Sequence, residues 1–141
     1  MSEQEQTLTI QQAIDLAIQH HKAGRLPQAE AIYRRILDSN PNHSTALHLL
    51  GMVAHQEGKH NLAVDLITKS LAIEPDYAEA HSNLGGVFQH LGMLDDAVSS
   101  FQNALALKPA YANAHNNLGT AFRNLGQLDD AVGSYRKALA I

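Results

Sequence analysis

The chain has no cysteine and no tryptophan among its 141 residues. Without cysteine there is no disulfide framework, no thiol nucleophile and no thiolate ligand for a metal. Basic residues are also few: 10 Lys and Arg stand against 14 Asp and Glu, a formal net charge of −4 with histidine neutral. No basic stripe is visible, so the electrostatic footprint of a nucleic-acid groove is missing. No apolar run reaches the ~20 residues needed to span a bilayer. The opening, Met1-Ser2-Glu3-Gln4-Glu5-Gln6, is polar and acidic, unlike the basic-then-apolar start of a secretory signal. These absences point to a soluble, cytoplasmic protein with neither nucleic acid nor membrane as partner.

What the chain does have is a period. Pro41, Pro75 and Pro109 stand 34 residues apart, and Gly24, Gly58, Gly92 and Gly126 keep the same interval. A fixed interval of this length is the signature of stacked helical hairpins, each burying its apolar face only against its neighbours. Proline lacks an amide hydrogen and restricts the residue before it, so these prolines fall between one helix and the next. The glycines fall mid-unit, where a helix end must turn back through a left-handed conformation. Each unit therefore reads helix A, tight turn, helix B, loop. Pro27, Asn61, Asp95 and Asp129 follow the turns as residue types suited to a helix start, and Asp95-Asp96 and Asp129-Asp130 complement the positive helix end. The array is expected over residues 9–141, in repeats of about 9–40, 41–74, 75–108 and an incomplete 109–141. Residues 1–8 form a flexible lead-in, with Thr7 or Thr9 available to cap the first helix.

Repeats three and four match at 20 of 33 positions without a gap. His81-x2-Leu84-Gly85-x2-Phe88, Ala97-x3-Phe101 and Pro109 recur as His115-x2-Leu118-Gly119-x2-Phe122 and Ala131-x3-Tyr135. Repeat two carries Leu47, Leu50, Gly51, Ala54, Ala63 and Ile67 in register, and repeat one carries Ala13, Leu16, Ala17, His20, Ala29 and Tyr33. Small residues make holes that the aromatics fill. This pattern resembles the tetratricopeptide repeat, W-x2-L-G-x2-Y, then A-x3-F, then P. The tryptophan position is held here by Ala13, Leu47, His81 and His115. The resemblance implies an all-α, right-handed α-solenoid of about four helix-turn-helix hairpins whose A helices line a concave groove.

Counting along helix A from the shared glycine gives Asn83, Asn116 and Asn117 as groove candidates, followed by Gln89 and His90 or Arg123 and Asn124. An asparagine amide both donates and accepts, so it pairs with a peptide backbone whatever side chain that peptide carries. The segments His81-Ser82-Asn83-Leu84-Gly85 and His115-Asn116-Asn117-Leu118-Gly119 also resemble the superhelix of O-GlcNAc transferase and Spindly-type proteins, whose groove asparagines grip extended polypeptides. Some members of the family clamp chaperone carboxylates with groove cations. The matching positions here, Ile14, Ile18, Glu79, Asn83 and Asn113, lack that charge.

Nine histidines raise the question of a metal. His48 and His55 lie two turns apart on one helix, His20 and His21 point to different faces, and no i, i+4 histidine pair with a carboxylate occurs, so no metal and no cofactor are expected. No Ser-His-Asp set, phosphate loop or nucleotide fingerprint can be assembled, and no catalytic residue is assigned. The chain reads as a noncatalytic scaffold binding proteins or peptides. The alternatives are the substrate-recognition arm of a larger O-GlcNAc transferase-like glycosyltransferase and a self-assembly module. The sequence ends inside helix B of repeat four, which reads as an uncapped end of a longer protein or as a homo-oligomer contact through Phe122, Leu125, Leu128, Val132 and Leu139.

Overall fold

The computed structural model describes residues 8–141, all of whose regular elements are helical. Residues 1–7, and with them Thr7 and most of the expected lead-in, lie outside the described residues. Eight helices follow in order: α1 Ile10–Lys22, α2 Leu26–Ser39, α3 Ser44–Gln56, α4 His60–Ile73, α5 Ala78–His90, α6 Leu94–Leu107, α7 Ala112–Asn124 and α8 Leu128–Leu139. They pair into the four expected hairpins, and no described helix is long and apolar enough to cross a membrane.

The turns form as the glycines require. Gly24, Gly58, Gly92 and Gly126 take φ of 80°, 82°, 76° and 79°, and no other described residue has positive φ. After each glycine the next amide reaches back to the helix: Arg25 N to His20 O and Lys59 N to Ala54 O at 2.8 Å, Met93 N to Phe88 O and Gln127 N to Phe122 O at 2.9 Å. This six-to-one bond is the Schellman ending, which satisfies a carbonyl that the helix itself leaves free. Thr9 caps α1 in a reciprocal capping box with Gln12. The B helices are started differently. Arg25, Lys59, Met93 and Gln127 occupy their N-cap positions without a side-chain cap bond, and Pro27, Asn61, Asp95 and Asp129 sit one step inside the helix. The acidic pairs therefore act on the helix dipole and do not cap.

Packing follows the small-large alternation. A Cβ placed on Gly85 would lie 2.7–2.9 Å from the ring of Phe101, and one on Gly119 would lie 2.9–3.0 Å from the ring of Tyr135. Only glycine lets the two helices of a hairpin close onto an aromatic this tightly. Between hairpins, Ala97 and Phe101 of α6 pack with Leu118 and Ala121 of α7, and Ala63 and Ile67 of α4 pack with Ala80, Leu84 and Val87 of α5. At the position of the family's tryptophan, His81 and His115 each donate from Nε2 to the carbonyl of the preceding loop proline, Pro75 or Pro109, at 2.8 Å. The imidazole thus ties helix A to its own entry loop.

Among the described residues, one buried side-chain polar atom lacks a hydrogen-bond partner. The ring of Tyr33 is fully buried, its hydroxyl makes no hydrogen bond, and burial pushes its pKa up to about 12, with Tyr77 acting in the same direction. In repeat four the equivalent Tyr135 hydroxyl meets Thr120 Oγ1 at 2.8 Å, whereas repeat one has Ile18 in the register of Thr120. Tyr33→Phe, which installs the residue that Phe101 supplies in repeat three, is expected to raise stability by about 1 kcal/mol by removing an unpaired buried hydroxyl. A denaturant titration reads it as a higher midpoint with unchanged slope, and a lower midpoint would contradict it.

Candidate groove

The A helices touch one another across the hairpins, α3 with α5 and α5 with α7, while α2, α4 and α6 are each wedged between the A helices before and after them and α8 packs on α7. The A helices accordingly form the closely spaced inner row of the array, and the B helices form its outer row.

Side chains in the inner row meet at an offset of one period plus one residue. Asn83 Nδ2 lies 2.7 Å from His48 Nε2, His21 Nε2 pairs with Gln56 Oε1, and the rings of His55 and His90 approach to 5.1 Å between centroids. Each of these pairs spans 35 residues, so one A helix is shifted by about one residue against the next.

The first of these contacts changes the standing of Asn83. His48 is only 3% exposed, and its Nδ1 lies 2.9 Å from the Tyr77 hydroxyl. The neutral tautomer carrying its proton on Nδ1 satisfies both bonds, donating to Tyr77 and accepting from the Asn83 amide. Burial lowers the pKa of His48 from 6.5 to about 4, an effect that Glu79 partly opposes. Asn83 is half-buried and spends a donor on the fold.

The other expected groove residues separate into two groups. Ile14, His48, Ser82 and Asn116 share one register, in which the first three are buried and Asn116 is exposed. Asn116 lines a cleft with Asn113, Tyr135 and Leu139. Gln89 and His90 lie on the last turn of α5, and Asn117, Arg123 and Asn124 lie on α7; Gln89 and Asn117 are half-buried and the other three are exposed. Of the expected self-association residues, Leu128, Val132 and Leu139 are exposed. Phe122 lines a cleft of about 870 Å³ with Leu105, Leu118, Gly133 and Lys137, Leu139 lines the cleft beside Asn116, and Leu125, Leu128 and Val132 line neither.

Sequence reasoning missed His48 as a buried anchor and His55, His60 and His90 as a group. The 35-residue offset, which alignment at 34 hides, pairs His48 with Asn83 and His55 with His90, and the glycine turn brings His60 to His55.

Two family models, both described as tetratricopeptide repeat, match residues 14–78 and 76–141. Among solved structures, a crystal structure of MamA superposes with a TM-score of 0.84 at 23% identity, covering 94% of this chain and 77% of that one. MamA residues 41 to the end from Desulfovibrio magneticus RS-1 give 0.83 at 21% identity, covering 94% and 75%. MamA from MSR-1 gives 0.76 at 26% identity, covering 94% and 76%. No curated protein matches the chain.

Proposed function

Because this chain belongs to the tetratricopeptide repeat family, we propose that it is a noncatalytic scaffold that holds extended segments of partner proteins along its inner row of helices. The observation that carries this reading is the set of inner-row side chains the fold leaves unused. The side chains of Gln89, Asn117, Arg123 and Asn124 make no hydrogen bond to another described residue, although they lie on the last turns of α5 and along α7. Amides in such a row satisfy the unpaired backbone of an extended peptide at each step. Every bond contributes only about 0.5–1.5 kcal/mol net, so affinity requires several together. The enzyme-arm alternative rests on Asn83 and Asn117 acting as a pair, and Asn83 already gives one amide N–H to His48.

The test uses an array of unstructured peptides probed with the whole chain. Gln89→Ala combined with Asn117→Ala is expected to weaken retention about ten-fold, the loss of two such bonds, at unchanged helicity. Retention equal to that of the wild type would sink the groove reading. Asn83→Ala is unsuited to this purpose, because it leaves buried His48 without its donor and acts on stability first.

A further inference from the structure

Leu128, Val132, Tyr135 and Leu139 form one stripe along α8, spaced by four, three and four residues. The same register of α6 holds Leu94, Val98, Phe101 and Leu105, of which Phe101 is buried and the others are half-buried. There α7 packs over the stripe through Leu118, Ala121 and Phe122. In α4 the register holds His60, Val64, Ile67 and Leu71, and α5 packs over it in the same way. Among the described residues α8 packs on α7, and no further helix covers its stripe. Leu128 is accordingly 63% exposed, Val132 45% and Leu139 87%. The residue types and spacing are those that receive a helix elsewhere in the array, and a contiguous apolar face of this kind marks an interface.

We propose that α8 pairs with α8 of a second copy of this chain, antiparallel about a two-fold axis beside the Gly133–Ser134 peptide. A spacing of four, three and four reads the same in both directions, so reversal lays the stripe on itself. Leu128 then meets Leu139 of the second copy and Val132 meets its Tyr135, each contact occurring twice. Charge follows the same reversal. The first turn of α8 carries Asp129 and Asp130, and the last carries Arg136 and Lys137. Asp129 and Arg136 flank the stripe on one side, two turns apart, and neither joins an ion pair among the described residues. Antiparallel pairing sets Asp129 of each copy beside Arg136 of the other, giving two ion pairs that bracket the apolar contact. Asn113 and Asn116 of α7, exposed beside Tyr135 and Leu139, supply a polar rim.

The opposite end of the array does not fit this face. In α3 the residues that pack toward the preceding B helix are Ala46, Leu50 and Val53, all buried. The same register of α1 holds Gln12, Leu16 and Gln19, all exposed. Seating α1 of another copy on α8 would press two glutamine amides against leucine and valine without hydrogen-bond partners, which is unfavourable. Head-to-tail stacking, which runs on into an open filament, is thereby disfavoured against the closed two-fold pair.

The test is sedimentation equilibrium of the whole chain, which is expected to fit monomer and dimer with no larger species. Val132→Glu changes an exposed position and leaves the core intact. It is expected to weaken dimerisation at least about a hundred-fold at unchanged helicity, because the two-fold brings the charge into the apolar contact twice. Asp129→Arg and Arg136→Asp each set like charges side by side and are expected to weaken it about ten-fold, while the two combined restore it. A mass of one chain up to about 1 mM would overturn the proposal and leave the face to a helix of another protein. Species larger than a dimer would also overturn it, since they denote head-to-tail stacking. So would a double exchange no better than the single ones, which would deny the antiparallel register. The readout is mass and involves no peptide, so it stands apart from the groove reading.

Discussion

Phe101→Ala is expected to destabilise the chain by about 3–5 kcal/mol, the largest loss from any single truncation in this fold. Phe101 is fully buried and serves two interfaces at once. Within its hairpin the ring lies against Gly85, and across the joint it packs with Leu118 and Ala121 of α7. Truncation leaves a hole that neither side closes readily, because Gly85 offers no side chain and α7 is held by its own hairpin. In a stacked array stability is a sum of units and the joints between them, so weakening one joint also separates the halves in their unfolding. Urea denaturation followed by helical circular dichroism should show a lower midpoint and a broadened or divided transition. A loss under about 1 kcal/mol with a single sharp transition would mean that repeats three and four are coupled through other contacts.

The second large effect is a loss of stability in acid set by His48. Its pKa is near 6.5 in the unfolded chain and about 4 in the folded one, chiefly because the ring is buried. Below pH 6.5 the unfolded chain takes up a proton that the folded chain refuses. Stability is therefore full above about pH 6.5, falls as pH drops toward 4, and loses nothing further from this group below that. Each pH unit between the two values is worth about 1.4 kcal/mol, so the whole window amounts to roughly 3 kcal/mol. His48→Asn, which places the Asn116 residue type in the same register, removes the titration and keeps a polar side chain there. Unfolding free energies measured at steps from about pH 7 to about pH 4 should fall more steeply in the wild type than in this variant. Parallel pH profiles would show that His48 titrates normally and that its bonds to Asn83 and Tyr77 do not hold in solution.

The fold was legible because its determinants are local and repeated. The glycines announce four left-handed turns, the prolines announce three loops, and the pairing of Gly85 with Phe101 and of Gly119 with Tyr135 follows from i, i+4 faces and complementary size. Helix starts were legible only in part, since Asp95 and Asp129 lie one residue inside their helices and work through charge. The groove was less legible for a physical reason. Which inner-row side chains face outward and which face the next helix depends on how far adjacent helices slide, and a slide of one residue moves partners from a spacing of 34 to one of 35. Asn83 and Asn117 look equivalent in sequence, yet His48 captures the first, while Ser82 stands 35 residues before the second and leaves it without a hydrogen-bond partner. The same slide gathers His55 and His90, which no local motif would pair.

If extended peptides lie along the inner row of A helices, amide chemical-shift mapping of the labelled chain, titrated with a peptide selected on the array, will show it. Saturable shifts are expected on α5 and α7 at Gln89, Asn117, Arg123 and Asn124, with the outer helices α4 and α6 unmoved. Shifts gathered instead around Leu118, Gly133 and Lys137 in the cleft lined by α6, α7 and α8, or spread over the outer helices, would refute inner-row binding.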